Sequence, residues 1–328
     1  MSIEEVIKAW RELSPKDKYE TVLQLQNLTE ASEIEEELNS EAEILTDGFQ
    51  KEPGNEEIAT KHHYFCGDFL ESQVCDLIKE RNLRPHLIVT SPPYNAGIDY
   101  GVDFDDKKPT KKYIRFLRDF LDKSDVLLRN GGRIAVNIRD IAIGKGKRLP
   151  ILVPIYNHLC EEMGYTYRGM HIWYKGREES SFAWGSWLES VCPSIIDLFE
   201  YVFIFQKGEY LDGEDNMEKT EFIENVLGIW KIRPVKKVIG KKRENIAKHP
   251  CPYPVELARR VIKLYSHVGD IVLDPFAGIF STNCAAAMSG RNSIGVEINR
   301  DYCQVGIDRF NKIFASSLFQ KIFLKELQ

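Results

Sequence analysis

With 328 residues, 43% of them hydrophobic and 29% charged, and with no apolar run near the roughly 18 a membrane span requires, the sequence excludes transmembrane and collagen-like classes. It is long enough for one sizeable core domain with an appendage. The net charge of −6 hides an asymmetry: residues 1–60 carry 16 acidic and 5 basic side chains, net −11, so residues 61–328 are net +5 and suit a polyanionic partner.

In chain order, the opening MSIEEVIKAW has acids where a secretion signal carries positive charge and no apolar h-region, which predicts a cytoplasmic protein. Val6, Ile7, Trp10 and Leu13, then Val22, Leu25 and Leu28, recur at helical spacing, with Pro15 dividing two helices over 3–38. An acidic run over 33–43 and a Gly- and Pro-containing linker over 47–55 follow. Residues 1–60 are therefore expected to form an acidic helical appendage and linker, and 61–328 the main domain. Its pattern changes to short apolar runs alternating with helical stretches, the mark of a doubly wound, mostly parallel α/β sheet. Strands are predicted over 64–66, 87–90, 133–138, 167–173, 201–205, 271–273 and 293–296, seven in all, with helices over 111–128, 150–163, 254–266 and 283–289. Seven cysteines, an odd count without a C-x-x-C pair, predict reduced core thiols and neither a disulfide framework nor a zinc site. The seven histidines are scattered, and no metal site is expected.

Two segments carry chemistry. The strand Leu87-Ile88-Val89-Thr90 runs into Ser91-Pro92-Pro93-Tyr94. Ligand crevices in open α/β sheets lie past the carboxyl ends of strands. Consecutive prolines make a rigid loop whose carbonyls remain acceptors, so a Ser hydroxyl, a Pro carbonyl and a Tyr ring can hold an amino group on a flat heterocycle. The second segment is Asp270-Ile271-Val272-Leu273-Asp274-Pro275-Phe276-Ala277-Gly278, a strand entering a tight turn, followed by a helix and a second strand ending in Glu297. Glu297 lies 23 residues after Asp274, near the spacing of a ribose-binding acid. Without G-x-G-x-x-G a pyrophosphate cradle is not supported, and a nucleoside without phosphates fits better.

From about Tyr64 to Tyr302 these segments, in this order, resemble the amino-group DNA methyltransferases in the permuted arrangement where the catalytic motif precedes the cofactor motif. The resemblance implies a Rossmann-like methyltransferase fold, S-adenosylmethionine as cofactor and double-stranded DNA as substrate. A second copy of the chain and a cognate restriction endonuclease are the further candidate partners. It assigns catalysis to Ser91, Pro92, Pro93 and Tyr94, with Tyr94 stacking on a flipped base. Cofactor contacts fall on Asp68 of Cys66-Gly67-Asp68, on Cys251, Pro252 and Tyr253, on Asp274, Phe276, Ala277, Gly278 and Ser281, and on Glu297. One departure stands out: the family's Gly-Ser-Gly-Thr-Thr reads Gly278-Ile279-Phe280-Ser281-Thr282 here, and Phe280 replaces a glycine that gives close approach and positive φ.

A Ser heading the loop accompanies N4-cytosine in this family and an Asp accompanies N6-adenine, so Ser91 favours cytosine, with adenine as the alternative. Ile279 and Phe280 motivate a second alternative, a DNA-binding protein with an impaired cofactor pocket. Residues 175–248 hold the expected target-recognition region, with Arg177, Lys236, Lys237, Lys241, Lys242 and Arg243 as its DNA contacts.

Overall fold

The chain divides into two units, residues 1–56 and 57–328, and the second is the one described. The computed structural model describes residues 60–101, 104–144, 147–176, 190–193, 195–235 and 252–314, with a short strand at 320–322. The expected helical appendage and linker, Arg177, Lys236, Lys237, Lys241, Lys242, Arg243 and Cys251 lie outside the described residues.

Every expected strand of the main domain forms: β1 (Lys61–Cys66), β2 (Leu87–Thr90), β3 (Arg133–Ile138), β6 (Thr166–Tyr174), β7 (Phe199–Gln206), β9 (Ile271–Asp274) and β10 (Asn292–Glu297). Between β3 and β6 a separate hairpin pairs β4 (Ile141–Gly144) with β5 (Lys147–Leu149). The short edge strands β8 (Ile229–Lys231) and β11 (Gln320–Ile322) extend the expected seven-stranded sheet to nine, in the order β11-β1-β10-β9-β2-β3-β7-β6-β8. Three-residue strands carry too little alternation to be read from sequence. Pairing is parallel from β11 through β3, antiparallel at β3–β7 and β7–β6, and parallel again at β6–β8.

Helices cover both faces, as a mostly parallel sheet requires. They are α1 (Ser72–Glu80), α2 (Thr110–Leu127), α3 (Leu152–Tyr156, continuing as a wider turn to Glu162), α4 (Lys219–Asn225), α5 (Val255–Tyr265), α6 (Ser281–Met288) and α7 (Arg300–Ile313). Strand alternation sorts the core. Ile88, Ile134, Val136, Phe203 and Phe205 face α1, α2 and α3, whereas Leu87, Val89, Ala135, Val202 and Ile204 face α5 and α6. Sequence reading misses α1, α4 and α7, for identifiable reasons. In α1 only Val74, Cys75 and Ile78 are buried, too few anchors for a periodic signal, and α7 contains Gly306. That glycine admits the Phe280 ring, since a Cβ there would lie 2.6 Å from it.

The cysteine expectation is corrected: Cys66 and Cys303 form a disulfide with Cα atoms 6.2 Å apart. Cys66 ends β1 beside Glu297 of β10, and α7 begins three residues after that glutamate, so the fold brings together two thiols 237 positions apart. No spacing rule reaches across such a separation. Cys75 and Cys284 are buried free thiols, while Cys160 is half-buried and Cys192 exposed. No helix among the described residues is long and apolar enough to cross a membrane.

Candidate active site

The two motif-bearing strands are neighbours. β2 and β9 pair in parallel, with Ile88 opposite Leu273, so the loops beginning at Ser91 and Pro275 leave the same edge of the sheet side by side. They are tied beneath the surface by Asp274. Its fully buried carboxylate accepts hydrogen bonds from Thr90 Oγ1 (2.7 Å), Tyr253 Oη (2.9 Å), the Phe276 N–H (3.1 Å) and Thr282 Oγ1. Burial pushes the Asp274 pKa up and these four donors pull against it. Asp274 is thus a knot under the site: protein donors engage its lone-pair sites, and it is not among the residues that line the cavity above it.

Above the knot lies a cavity of about 370 Å³, within the range of small-molecule sites. Ser91, Pro92, Pro93, Tyr94, Asp68, Pro252, Tyr253, Phe276, Ala277, Gly278, Ser281 and Glu297 all line it. Glu297, at the end of β10, accepts from the Asn299 N–H and the Gly278 N–H, each at 2.8 Å. Gly278 supplies that N–H at φ 53°, a conformation in which a side chain would be strained. Burial raises the Glu297 pKa to about 7, against these backbone donors.

Phe280 does adopt the left-handed backbone, φ 65° and ψ 37°, at the start of α6. Such a conformation costs roughly 1–2 kcal/mol for a non-glycine residue. Its ring turns away from the cavity and is fully buried, stacked on Tyr64 at 4.7 Å between ring centres and clustered with Phe310 and Phe314. Burial of a phenyl ring is worth about 1.5–3 kcal/mol, enough to offset the strain. The cavity receives Ile279 and Ser281 from this turn but not Phe280, so the departure from glycine leaves the pocket open.

The loop that begins at Ser91 is held from behind. The Asp106 carboxylate, 5% exposed, accepts from the N–H groups of Asn95 (2.9 Å), Ala96 (3.0 Å) and Ile98 (2.9 Å). Tyr113 Oη donates to the Pro93 carbonyl at 2.7 Å. Asn299 Nδ2 reaches across to the Tyr100 carbonyl at 2.8 Å, joining this loop to the Glu297 turn. The prolines restrict φ and these donors fix the rest, so the geometry exists before any ligand arrives.

Residues that sequence reading misses complete the Ser91 end of the cavity. Asn137 and Arg139 follow from the end of β3, Trp173 and Lys175 from the end of β6, and Glu200 from the start of β7, and all line the cavity. Asn137 and Arg139 are discoverable from the rule that sites gather at the carboxyl ends of parallel strands. Glu200 is not: it reaches this edge only because β7 runs antiparallel to β3. Tyr94 Oη donates to Glu200 Oε2 at 2.6 Å and sits 2.8 Å from Ser91 Oγ. Asn137 Nδ2 donates to both Tyr94 Oη (2.9 Å) and Glu200 Oε2 (2.8 Å), while Lys175 Nζ pairs with Glu200 Oε1. Asn137 Oδ1 is buried with no hydrogen-bond partner among the described residues. The cavity thus joins two chemistries, a buried acid beside backbone turns at one end and hydroxyl and amide acceptors beside an aromatic ring at the other.

Comparison with known proteins agrees with this geometry. Residues 85–308 match the family described as DNA methylase, comprising N6 and N4 methyltransferases. The chain is similar to the type II methyltransferase M.MjaVI of Methanocaldococcus jannaschii, 34% identical over 147 residues covering 44% of this chain and 74% of that protein. Among solved structures it is similar to TTHA0409 of Thermus thermophilus, described as a putative DNA modification methylase and solved with S-adenosyl-L-methionine. The TM-score is 0.59 at 26% identity, covering 82% of this chain and 100% of that one. It shares the fold of the cytosine-N4-specific PvuII DNA methyltransferase, with a TM-score of 0.58 at 18% identity, covering 80% and 97%. A family match over two thirds of the chain, on the strands that build this cavity, leads to one conclusion: the chain belongs to the DNA methylase family of N6/N4 amino-methyltransferases.

Proposed function

We propose that the protein methylates the exocyclic N4 amine of cytosine in double-stranded DNA. The cofactor is S-adenosylmethionine, and the residues present suit it. Glu297 offers a buried carboxylate to the two ribose hydroxyls, Phe276 and Ile298 give apolar walls, and Asp68 lines the same cavity with its carboxylate. When bound, this cofactor supplies an electrophilic methyl group on a sulfonium; everything else is the work of the chain.

The target amine's lone pair is delocalised into its ring and attacks poorly until acceptors draw its N–H bonds out of the ring plane. Ser91 Oγ does this in our reading, with the Pro92 carbonyl and the unpartnered Asn137 Oδ1 as further acceptors. The amine of a paired base is inaccessible, so the nucleotide must leave the stack, and the Tyr94 ring at the cleft wall is placed to receive it. In-line attack is then chiefly positioning, which the preset loop supplies. Residues 175–248 carry target recognition in this reading.

The observation that supports cytosine over adenine is Ser91 itself, a neutral hydroxyl at the position where the adenine enzymes of the resembling family carry a carboxylate. Incubation with tritiated cofactor and plasmid DNA, followed by digestion to nucleosides, tests it. Label in N4-methyl-2′-deoxycytidine is expected, and label in N6-methyl-2′-deoxyadenosine would replace this reading with adenine methylation.

The Glu297 pKa sets a pH dependence. The carboxylate form accepts from the ribose diol and the neutral acid accepts less well, so cofactor affinity measured by calorimetry should fall as pH drops below about 7. The limit is about tenfold per pH unit. Stability of the ligand-free protein moves the opposite way. A carboxyl whose folded pKa is raised contributes stability that is complete below its unfolded value of 4.5 and is lost as pH rises through about 7.

A further inference from the structure

Methylating an amine leaves a proton to dispose of, and the catalytic end of the cavity contains a route for it. The hydrogen-bond directions along that route are fixed by counting donors. Glu200, 5% exposed, is an acceptor wherever Lys175 and Asn137 donate to it. Tyr94 has one proton, and the 2.6 Å contact with Glu200 claims it over the 3.2 Å contact with the Asn137 carbonyl. At the 2.8 Å contact between Tyr94 Oη and Ser91 Oγ the serine must therefore be the donor. Ser91 accepts one long contact from Asn137 Nδ2 (3.4 Å) and keeps a further lone pair for the cleft, which is what an amine N–H requires. Reverse any one bond and Ser91 would present a proton instead, opposing the amine.

We propose that Glu200 sets the direction of this chain and receives, through Tyr94 and Ser91, the proton that the target amine sheds. The inference rests on the amino-methyltransferase reading. As the amine's lone pair forms the N–C bond, the electron pair of the broken S–C bond stays on sulfur and the nitrogen carries a positive charge. Ser91 Oγ takes one proton from that nitrogen and passes its own to Tyr94 Oη, which passes its own to Glu200 Oε2. One N–H and two O–H bonds break, three O–H bonds form, and the cation and the carboxylate are neutralised together. After product leaves, the proton on Glu200 returns to water. The Tyr94 hydroxyl is kept a phenol between turnovers, because burial and the adjacent carboxylate push its pKa well above the ordinary value. Lys175 pairs with Glu200, and its ammonium lies 4.6 Å from the Trp173 ring centre, which anchors it at the cleft wall. Glu200 touches no substrate atom; it is a positioning residue and the end of the relay.

The test is single-turnover methyl transfer to DNA at saturating cofactor, so that Glu297 titration does not enter, for wild type, Glu200→Gln, Tyr94→Phe and the double variant. Glutamine keeps the shape of glutamate but can donate, and phenylalanine breaks the chain at its middle. Each single variant should be slowed roughly 100-fold, the lower range for loss of proton transfer. The double variant should be no slower than either, because both remove the same relay. Cofactor and DNA affinities should stay within about twofold of wild type, so that the loss falls on the transfer step alone. A Glu200→Gln rate within about threefold of wild type, or multiplicative losses in the double variant, would overturn the relay while leaving the activity standing. Should Glu200→Gln fail to fold, Tyr94→Phe alone decides, since a full rate without the phenol leaves no path to Glu200. Wild-type protein that labels no DNA amine would overturn the activity and the relay with it.

Discussion

Ser91→Ala is expected to lower turnover roughly 10²- to 10³-fold, the usual loss when one preorganised group at a reacting centre is removed, with cofactor affinity unchanged within about twofold. The expectation follows from where Ser91 sits. It leaves the carboxyl end of β2 at the end of the cavity that holds Tyr94 and Asn137, while Glu297 enters the same cavity from β10, two strands away across β9. Its role is to hold an amine, so alanine removes an interaction that strengthens as the nitrogen becomes tetrahedral. Glu297→Ala should do the reverse, weakening cofactor binding by one to two orders of magnitude, as loss of a hydrogen-bonding charged acceptor implies, with a smaller effect on turnover once cofactor saturates. Calorimetry with the cofactor and single-turnover kinetics separate the two. Equal effects of both substitutions on both quantities would remove the division of labour.

The largest expected effect on stability belongs to Asp274→Ala. The alanine would leave Thr90, Tyr253, Thr282 and the Phe276 N–H without an acceptor in a place water does not reach. Removing one partner from such a buried charged network costs about 3–5 kcal/mol. For a domain of this size that lowers Tm by roughly 10 °C. Asp274→Asn keeps the shape and one acceptor oxygen and should recover part of the loss. Denaturant melts read the stability, and a cofactor titration of folded Asp274→Asn reads the second consequence, a loosened Phe276–Gly278 turn. An alanine variant as stable as wild type would show that the two strand ends are held by something else.

Much of this is legible in the sequence because the signals are local. Apolar runs such as Leu87-Ile88-Val89 mark central strands, and Ser91-Pro92-Pro93-Tyr94 and Asp274-Pro275-Phe276 place chemistry at strand ends. What escapes depends on partners distant in the chain. Glu200 looks like any acid at the head of a strand until the strand's direction is known, and Cys66 has no visible relation to Cys303. The motif position of Asp274 is visible, but not that Thr90, Tyr253 and Thr282 surround it and turn it into a structural knot. Phe280 shows the converse: a residue that breaks a glycine rule is accommodated by aromatic neighbours from β1 and the end of α7 that no local window contains.

The placement of β1 between β10 and β11 carries a consequence for biosynthesis. Its partners are drawn from the far end of the chain, with His62 facing Ser293 and Cys66 facing Glu297. A nascent polypeptide that has already displayed Ser91 on the ribosome still lacks the acid and the turn that complete the cofactor cavity. Cofactor capture must wait until Glu297 has been synthesised, so a translation product cut short before it would possess the Ser91 loop without a complete cofactor cavity.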